Sequence, residues 1–266
     1  MVTTPFLSRS FVALLLVGAL SAFRPAADNR ELREVPAFTS VQLSTSVTVI
    51  VRQGSPQRVE VEAAAADLPY LATTVINGQL RISTESGGKT GLKGLKALWQ
   101  DSRRLGPTTV YVTLPIVRGL AVSSSGRLRA DTLRSPKLAL AVSSSGQLQV
   151  GDVQAGRVRA LLSSSGELGI EQLRADTLVA GVSSSGNLTA AGTCAYSSVG
   201  ISSSGTLNTA GLAVETCQAR VSGSGDCQVN VARTLEARIS GSGSVLVSGH
   251  PQITSRVSGS GRVRLR

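Results

Sequence analysis

Eight copies of one small-residue box punctuate the second half of this chain, and a fixed repeat period restricts the fold more than any other sequence feature. The first copy is Ser123-Ser124-Ser125-Gly126. The copies close on Gly126, Gly146, Gly166, Gly186, Gly205, Gly225, Gly243 and Gly261, at spacings of 20, 20, 20, 19, 20, 18 and 18 residues. A unit this short cannot bury its own apolar face, so each must bury it against its neighbours, as in a solenoid.

Inside each unit the apolar period is two. Leu120, Val122, Leu128 and Ala130 share one parity, with Ala121, Ser123, Arg127 and Arg129 between them. Leu140, Val142, Leu148 and Val150 repeat the pattern, as do Leu162, Leu168 and Ile170. Such alternation puts one set of side chains inside and the other in water, as a half-buried strand requires. No helical spacing competes over residues 108–266. The expected fold is therefore all-β: a parallel β-helix with coils of 18–20 residues, each about 4.8 Å above the last.

The box reads column by column. Its first and third positions are Ser in every copy, and its second changes from Ser to Gly223, Gly241 and Gly259 in the last three. Parity turns the second position and the closing Gly inward, at a tight corner where only small residues fit. The outer positions, Ser123, Ser125, Ser143, Ser145, Ser163, Ser165, Ser183 and Ser185 among them, then form two hydroxyl ladders on the surface. Two readings stand side by side: hydroxyls that bond the backbone at a bend, or a strip that faces a ligand.

Ahead of the repeats, residues 1–22 have the make-up of an export signal: Arg9, then an apolar stretch from Phe11 to Leu20, then Ser21-Ala22 as a small-residue cleavage site. The stretch is too short for a comfortable membrane span, so the mature chain is expected to have no transmembrane helix. Removing it takes away only Arg9 and lowers the formal charge from +11 to +10. Residues 23–34 read as a linker and 35–107 as a strand-rich part. There Ser44-Thr45-Ser46 has the outer-column spacing of a degenerate first coil, and Asn77-Gly78 marks a hairpin. Within it, 83–107 is a basic loop. Leu92, Leu95, Leu98 and Trp99 give it one short amphipathic helix, suited to a lid on the solenoid's end or to an interfacial contact.

The ordered motifs Phe38, Gln53-Gly54, Val59 to Ala63, Leu68-Pro69-Tyr70, Asn77-Gly78 and Tyr111-Val112-Thr113-Leu114-Pro115, followed by Ser/Gly boxes, carry a resemblance. Over residues 35–266 the chain resembles the head GIN domain family, whose working label is auto-transporter adhesin of bacterial envelopes. The resemblance implies a right-handed β-helix and an exported protein of the periplasm, outer surface or medium. Two departures stand out. Most boxes here are Ser-Ser-Ser-Gly where the family is associated with Ser-Gly-Ser-Gly, and no translocator barrel follows the repeats.

Catalysis finds little support. The acids of the repeats, Asp131, Asp152, Glu167, Glu171, Asp176, Glu215, Asp226 and Glu236, mostly differ in coil position. The closest approach to order is two aligned pairs, two coils apart. The sole histidine, His250, lies between Gly249 and Pro251 in a turn, with no acid aligned for a Ser-His-Asp arrangement. Cys194, Cys217 and Cys227 lack metal-ligand spacing; export would permit a disulfide, though the stagger between Cys194 and Cys217 in adjacent coils exceeds its reach. No cofactor is expected. The basic charge invites nucleic acid, but aromatics are only 3% of the chain, too few for base stacking, and the arginines read as scattered. The expected partner is an envelope glycan or a surface protein, met by a repetitive, non-catalytic face. A polysaccharide-active β-helix enzyme and a purely structural scaffold are the alternatives.

Overall fold

The structure, a computed structural model, describes residues 29–84 and 105–266. The export-signal stretch and the amphipathic helix expected at 92–99 lie outside the described residues.

Alternation becomes burial along every repeat. β9 (Arg127–Val142), β10 (Gln147–Leu162), β11 (Glu167–Val182), β12 (Asn187–Ile201), β13 (Thr206–Gly223) and β14 (Asp226–Gly241) follow eight shorter strands and run parallel, each paired to the next. β15 (Ser244–Ser248), β16 (Gln252–Ser258) and β17 (Arg262–Leu265) close the array on β14 and β15. The result is a parallel β-solenoid of about seven turns.

Each long strand is bent. In β9 the buried side chains are Leu128 and Ala130, then Leu133 and Ser135, then Leu138, Leu140 and Val142. The alternation slips at 131–132 and 136–137, where two successive side chains face water. Those slips are two corners, and the box is the third, so a coil has three flat sides.

Register stacks like on like. Leu128, Leu148, Leu168, Leu188 and Leu207 form one buried column, with Val142, Leu162, Val182, Ile201 and Val221 in another. Fully burying one such side chain contributes about 1.5–3 kcal/mol, which explains how an aliphatic core suffices with so few aromatics.

The box corner is held by backbone bonds on both flanks. Ser143 N–H donates to the Val122 carbonyl at 2.9 Å and Gln147 N–H to the Gly126 carbonyl at 3.0 Å, and the next coil repeats both bonds. Gly146, Gly166 and Gly186 lie one above another. A Cβ on Gly166 would sit 2.5 Å from the carbonyl oxygens of both Gly146 and Ser144, so the closing glycine is required by contact. The middle-column change adds a second cause to the same crowding, since a Cβ on Gly241 would sit 2.5 Å from the Gly223 carbonyl oxygen. Gly223, Gly241 and Gly259 adopt φ of +118°, +121° and +115°, a region that L side chains avoid. The last three corners are therefore a second kind of turn.

The N-terminal part continues the same stack. β2 (Ser40–Leu43) lies parallel beneath β8 (Gly119–Val122), and β3 (Thr48–Gln53) beneath β9. Between them Ser44-Thr45-Ser46 occupies the box position, with the Ser44 and Ser123 hydroxyls 3.0 Å apart, so the degenerate first coil is real. Val47 stands where later coils have glycine. Below again, β6 (Gln79–Thr84) pairs with β2, and β7 (Thr109–Leu114) with β3. β5 (Leu71–Ile76) and β6 form the expected hairpin, with φ of 51° at Asn77 and 72° at Gly78. β4 (Arg58–Ala63) is antiparallel to β7 and to β1 (Asn29–Leu32), so part of the segment read as a linker is a strand. Gln53 clamps the two parts together: its amide donates to the Arg134 carbonyl at 2.9 Å and accepts from Arg134 N–H at 2.7 Å.

Candidate functional site

The serine columns sit on one edge of the prism. Ser123, Ser143, Ser163 and Ser183 rise in register along one line, and Ser125, Ser145, Ser165 and Ser185 along a second. Ser123 is half-buried and the other seven are exposed. Few of these hydroxyls serve the turn. Ser123 bonds the Leu43 carbonyl at 3.3 Å and Ser183 the Leu162 carbonyl at 3.5 Å. The hydroxyls of Ser143 and Ser163, and all four of the second line, have no hydrogen bond among the described residues. The hydroxyl that does pin the corner belongs to the middle column: Ser124 donates to the Thr45 carbonyl at 2.6 Å.

Beside the first serine line runs an outward column that the sequence reading passed over. Above Arg81 and Gln42 at its base, it comprises Ala121, Ala141, Leu161, Gly181 and Gly200, then Arg220, Arg238 and Arg256. Five uncharged rungs are followed by three arginines, which corrects the view that the arginines are scattered. The spacing signal was present: each of these arginines precedes the first box serine by two residues. Two shallow grooves, of about 400 and 340 Å³, open between this column and the serines and meet at Arg220 and Ser222. Neither is lined by a carboxylate.

Charge along the arginines is only partly balanced. Arg238 pairs with Glu236 at 2.7 Å, while Glu236 also accepts from the Gln218 amide at 3.3 Å. Arg220 and Arg256 have no ion pair among the described residues.

The other candidate groups stay apart. His250 is exposed in its turn, after Gly249 at φ +91°. Among the described residues, no three His, Cys, Asp or Glu side chains come together as metal ligands would. A polar groove on another face, lined by Arg134, Gln154, Arg174 and others, contains one carboxylate, Asp176. Cys194, Cys217 and Cys227 are buried free thiols. Burial pushes all three up, Cys217 to about 11. Against this, Ser197 bonds the Cys217 thiol, whereas Cys194 donates to the Tyr196 carbonyl, a bond that only the protonated thiol can make. Protonated, enclosed thiols are poor nucleophiles.

A parallel stack of coils with a hydroxyl-lined edge defines a β-solenoid repeat protein. The chain belongs to the family described as "Putative auto-transporter adhesin, head GIN domain", whose profile matches residues 37–251. Among solved structures it is similar to a putative lipid binding protein from Parabacteroides distasonis, at 20% identity and a TM-score of 0.80, covering 90% of this chain and 97% of that one. It is also similar to a putative adhesin from Parabacteroides merdae, at 18% identity and a TM-score of 0.79, covering 90% and 95%. A putative adhesin from Parabacteroides distasonis follows at 19% and 0.74, covering 90% and 96%. At these identities the likeness is one of fold. Among curated proteins none matches the chain.

Proposed function

We propose that this protein is an exported, non-catalytic envelope or surface protein that attaches through its serine-lined edge to a glycan or protein ligand. The observation that carries the reading is the set of outward hydroxyls without protein partners, repeated at one rung per coil. A hydroxyl that neither closes the turn nor bonds its neighbour is free to exchange a water for a ligand oxygen. Each such bond contributes little, about 0.5–1.5 kcal/mol net, but a rigid ladder offers many at fixed spacing and their effects combine through repetition. The family's working label and the names of two structural neighbours favour the same reading.

The test replaces Ser143, Ser163 and Ser183 with Ala together. Thermal unfolding should stay within a few degrees of the parent, since only the Ser183 hydroxyl bonds the protein, at 3.5 Å. Attachment to an envelope-glycan array should weaken. A large loss of melting temperature would mean that the ladder is structural. New reducing ends or unsaturated products from a panel of polysaccharides would replace adhesion with catalysis.

A further inference from the structure

Gly200 is a glycine without a local reason. Its φ lies outside the left-handed region, and a Cβ built on it would find its nearest neighbour, the Arg220 carbonyl oxygen, 4.0 Å away. This differs from Gly166 or Gly186, whose added Cβ would meet backbone oxygens. Mid-strand glycine costs roughly 0.5–1 kcal/mol relative to alanine, so the fold would be better served by a side chain here. What Gly200 does create is a notch, continued below by Gly181, over which the Leu161 side chain leans so that a Cβ added there would lie 3.1 Å from its Cδ2. It is bounded by Leu161 below and Arg220 above, a span of three rungs or about 14 Å, with the larger of the two grooves along it.

Above the notch the column changes character. Arg220, Arg238 and Arg256 stack at one rung each, and like charges placed directly opposite across strands destabilise a sheet. Among the described residues Glu236 alone pairs with one of them. Polarity therefore runs along the column: uncharged and partly aliphatic from Leu161 to Gly200, cationic from Arg220 to Arg256.

We infer that this column is a binding site for a single-chain anionic amphiphile. The hydrocarbon lies in the Leu161–Gly200 notch and the phosphate or carboxylate head rests on Arg220 and its neighbours. Apolar contact in the notch and the two guanidinium groups without ion pairs account for the two halves of such a ligand. The serine line alone accounts for neither, and this site does not depend on the adhesive role of the ladder.

Calorimetric titration of the whole protein with dodecyl phosphate, kept below its micelle-forming concentration, tests the inference. Saturable binding is expected. Dodecylphosphocholine, with the same chain and a neutralised head, should bind more weakly, by up to about fivefold, the scale of losing one exposed ion pair. Inorganic phosphate should show no saturation. Gly200→Leu should keep the native circular dichroism and abolish binding by filling the notch. Arg220→Gln with Arg256→Gln, both on exposed side chains, should weaken binding at least about fivefold and flatten its dependence on salt. Absence of binding by the parent, equal affinity for the phosphocholine, or unchanged binding by a folded Gly200→Leu would each overturn the site. Equal binding of polygalacturonate would do so as well, by making the arginines a general polyanion face.

Discussion

One methyl group separates glycine from alanine, and in this molecule its effect depends on which glycine receives it. At Gly166 the new carbon would press on two backbone oxygens at 2.5 Å, and backbone in a hydrogen-bonded corner has little freedom to yield. Overpacking of this kind costs about 1–3 kcal/mol, occasionally more. Gly166→Ala should lower the urea midpoint accordingly. Gly200→Ala should leave it unchanged or raise it by up to about 1 kcal/mol in stability. Similar midpoints for the two variants would refute the stacked-glycine account. The cysteines set an alkaline limit. A free thiol titrates near 8.5, whereas burial holds Cys217 up to about 11 and shifts Cys194 and Cys227 the same way. Above the unfolded value the unfolded chain loses protons that the folded one keeps, so stability is intact below about pH 8.5 and falls as pH rises towards 11. Urea unfolding measured from pH 7 to 10.5 should show that decline, and replacing all three cysteines with Ala should flatten it.

A coil is the element that this architecture adds or subtracts. β9, β10 and β11 pair at an unbroken offset of 20 residues over nearly their whole length. Deleting residues 147–166 therefore joins Gly146 to Glu167 and sets Leu168 on Leu128, where Leu148 had been. The shortened protein should fold with the parent's type of circular dichroism spectrum and a smaller urea m-value, since less surface is exposed on unfolding. Deleting ten residues from the same place should abolish cooperative folding, because every column would be out of phase. The box, the alternation and the degenerate first coil at Ser44-Thr45-Ser46 were all legible in the sequence, since period and parity express where side chains point. The two corners inside β9 were harder to see. They appear only as paired exposed residues, Asp131-Thr132 and Pro136-Lys137, in a strand that otherwise alternates. The reason for Gly223, Gly241 and Gly259 was half legible. Smallness pointed to crowding and to an unusual backbone angle; both are present, but residue names do not reveal the angle itself.

Taken as one body, the molecule has surface columns that matter more than its linear motifs. The acids looked dispersed in the sequence and remain without a three-membered cluster among the described residues. The arginines also looked dispersed, yet three share a column, because the eye follows neighbours in sequence and the solenoid brings together residues 18 apart. Alignment by coil rather than by position would have shown Arg220, Arg238 and Arg256 at once. The serine ladders were visible because the box itself marks them. Their role was not, since turn chemistry and ligand contact both favour a short hydroxyl.

The polarity of that column has a mechanical corollary. Insertion or loss of a whole coil below Leu161 would move the arginine-bearing tip farther from β2, or nearer to it, without touching any residue at the tip. Reach and chemical preference are thus governed by separate parts of the chain. A lineage of such proteins could tune one by duplication while leaving the other to point substitution.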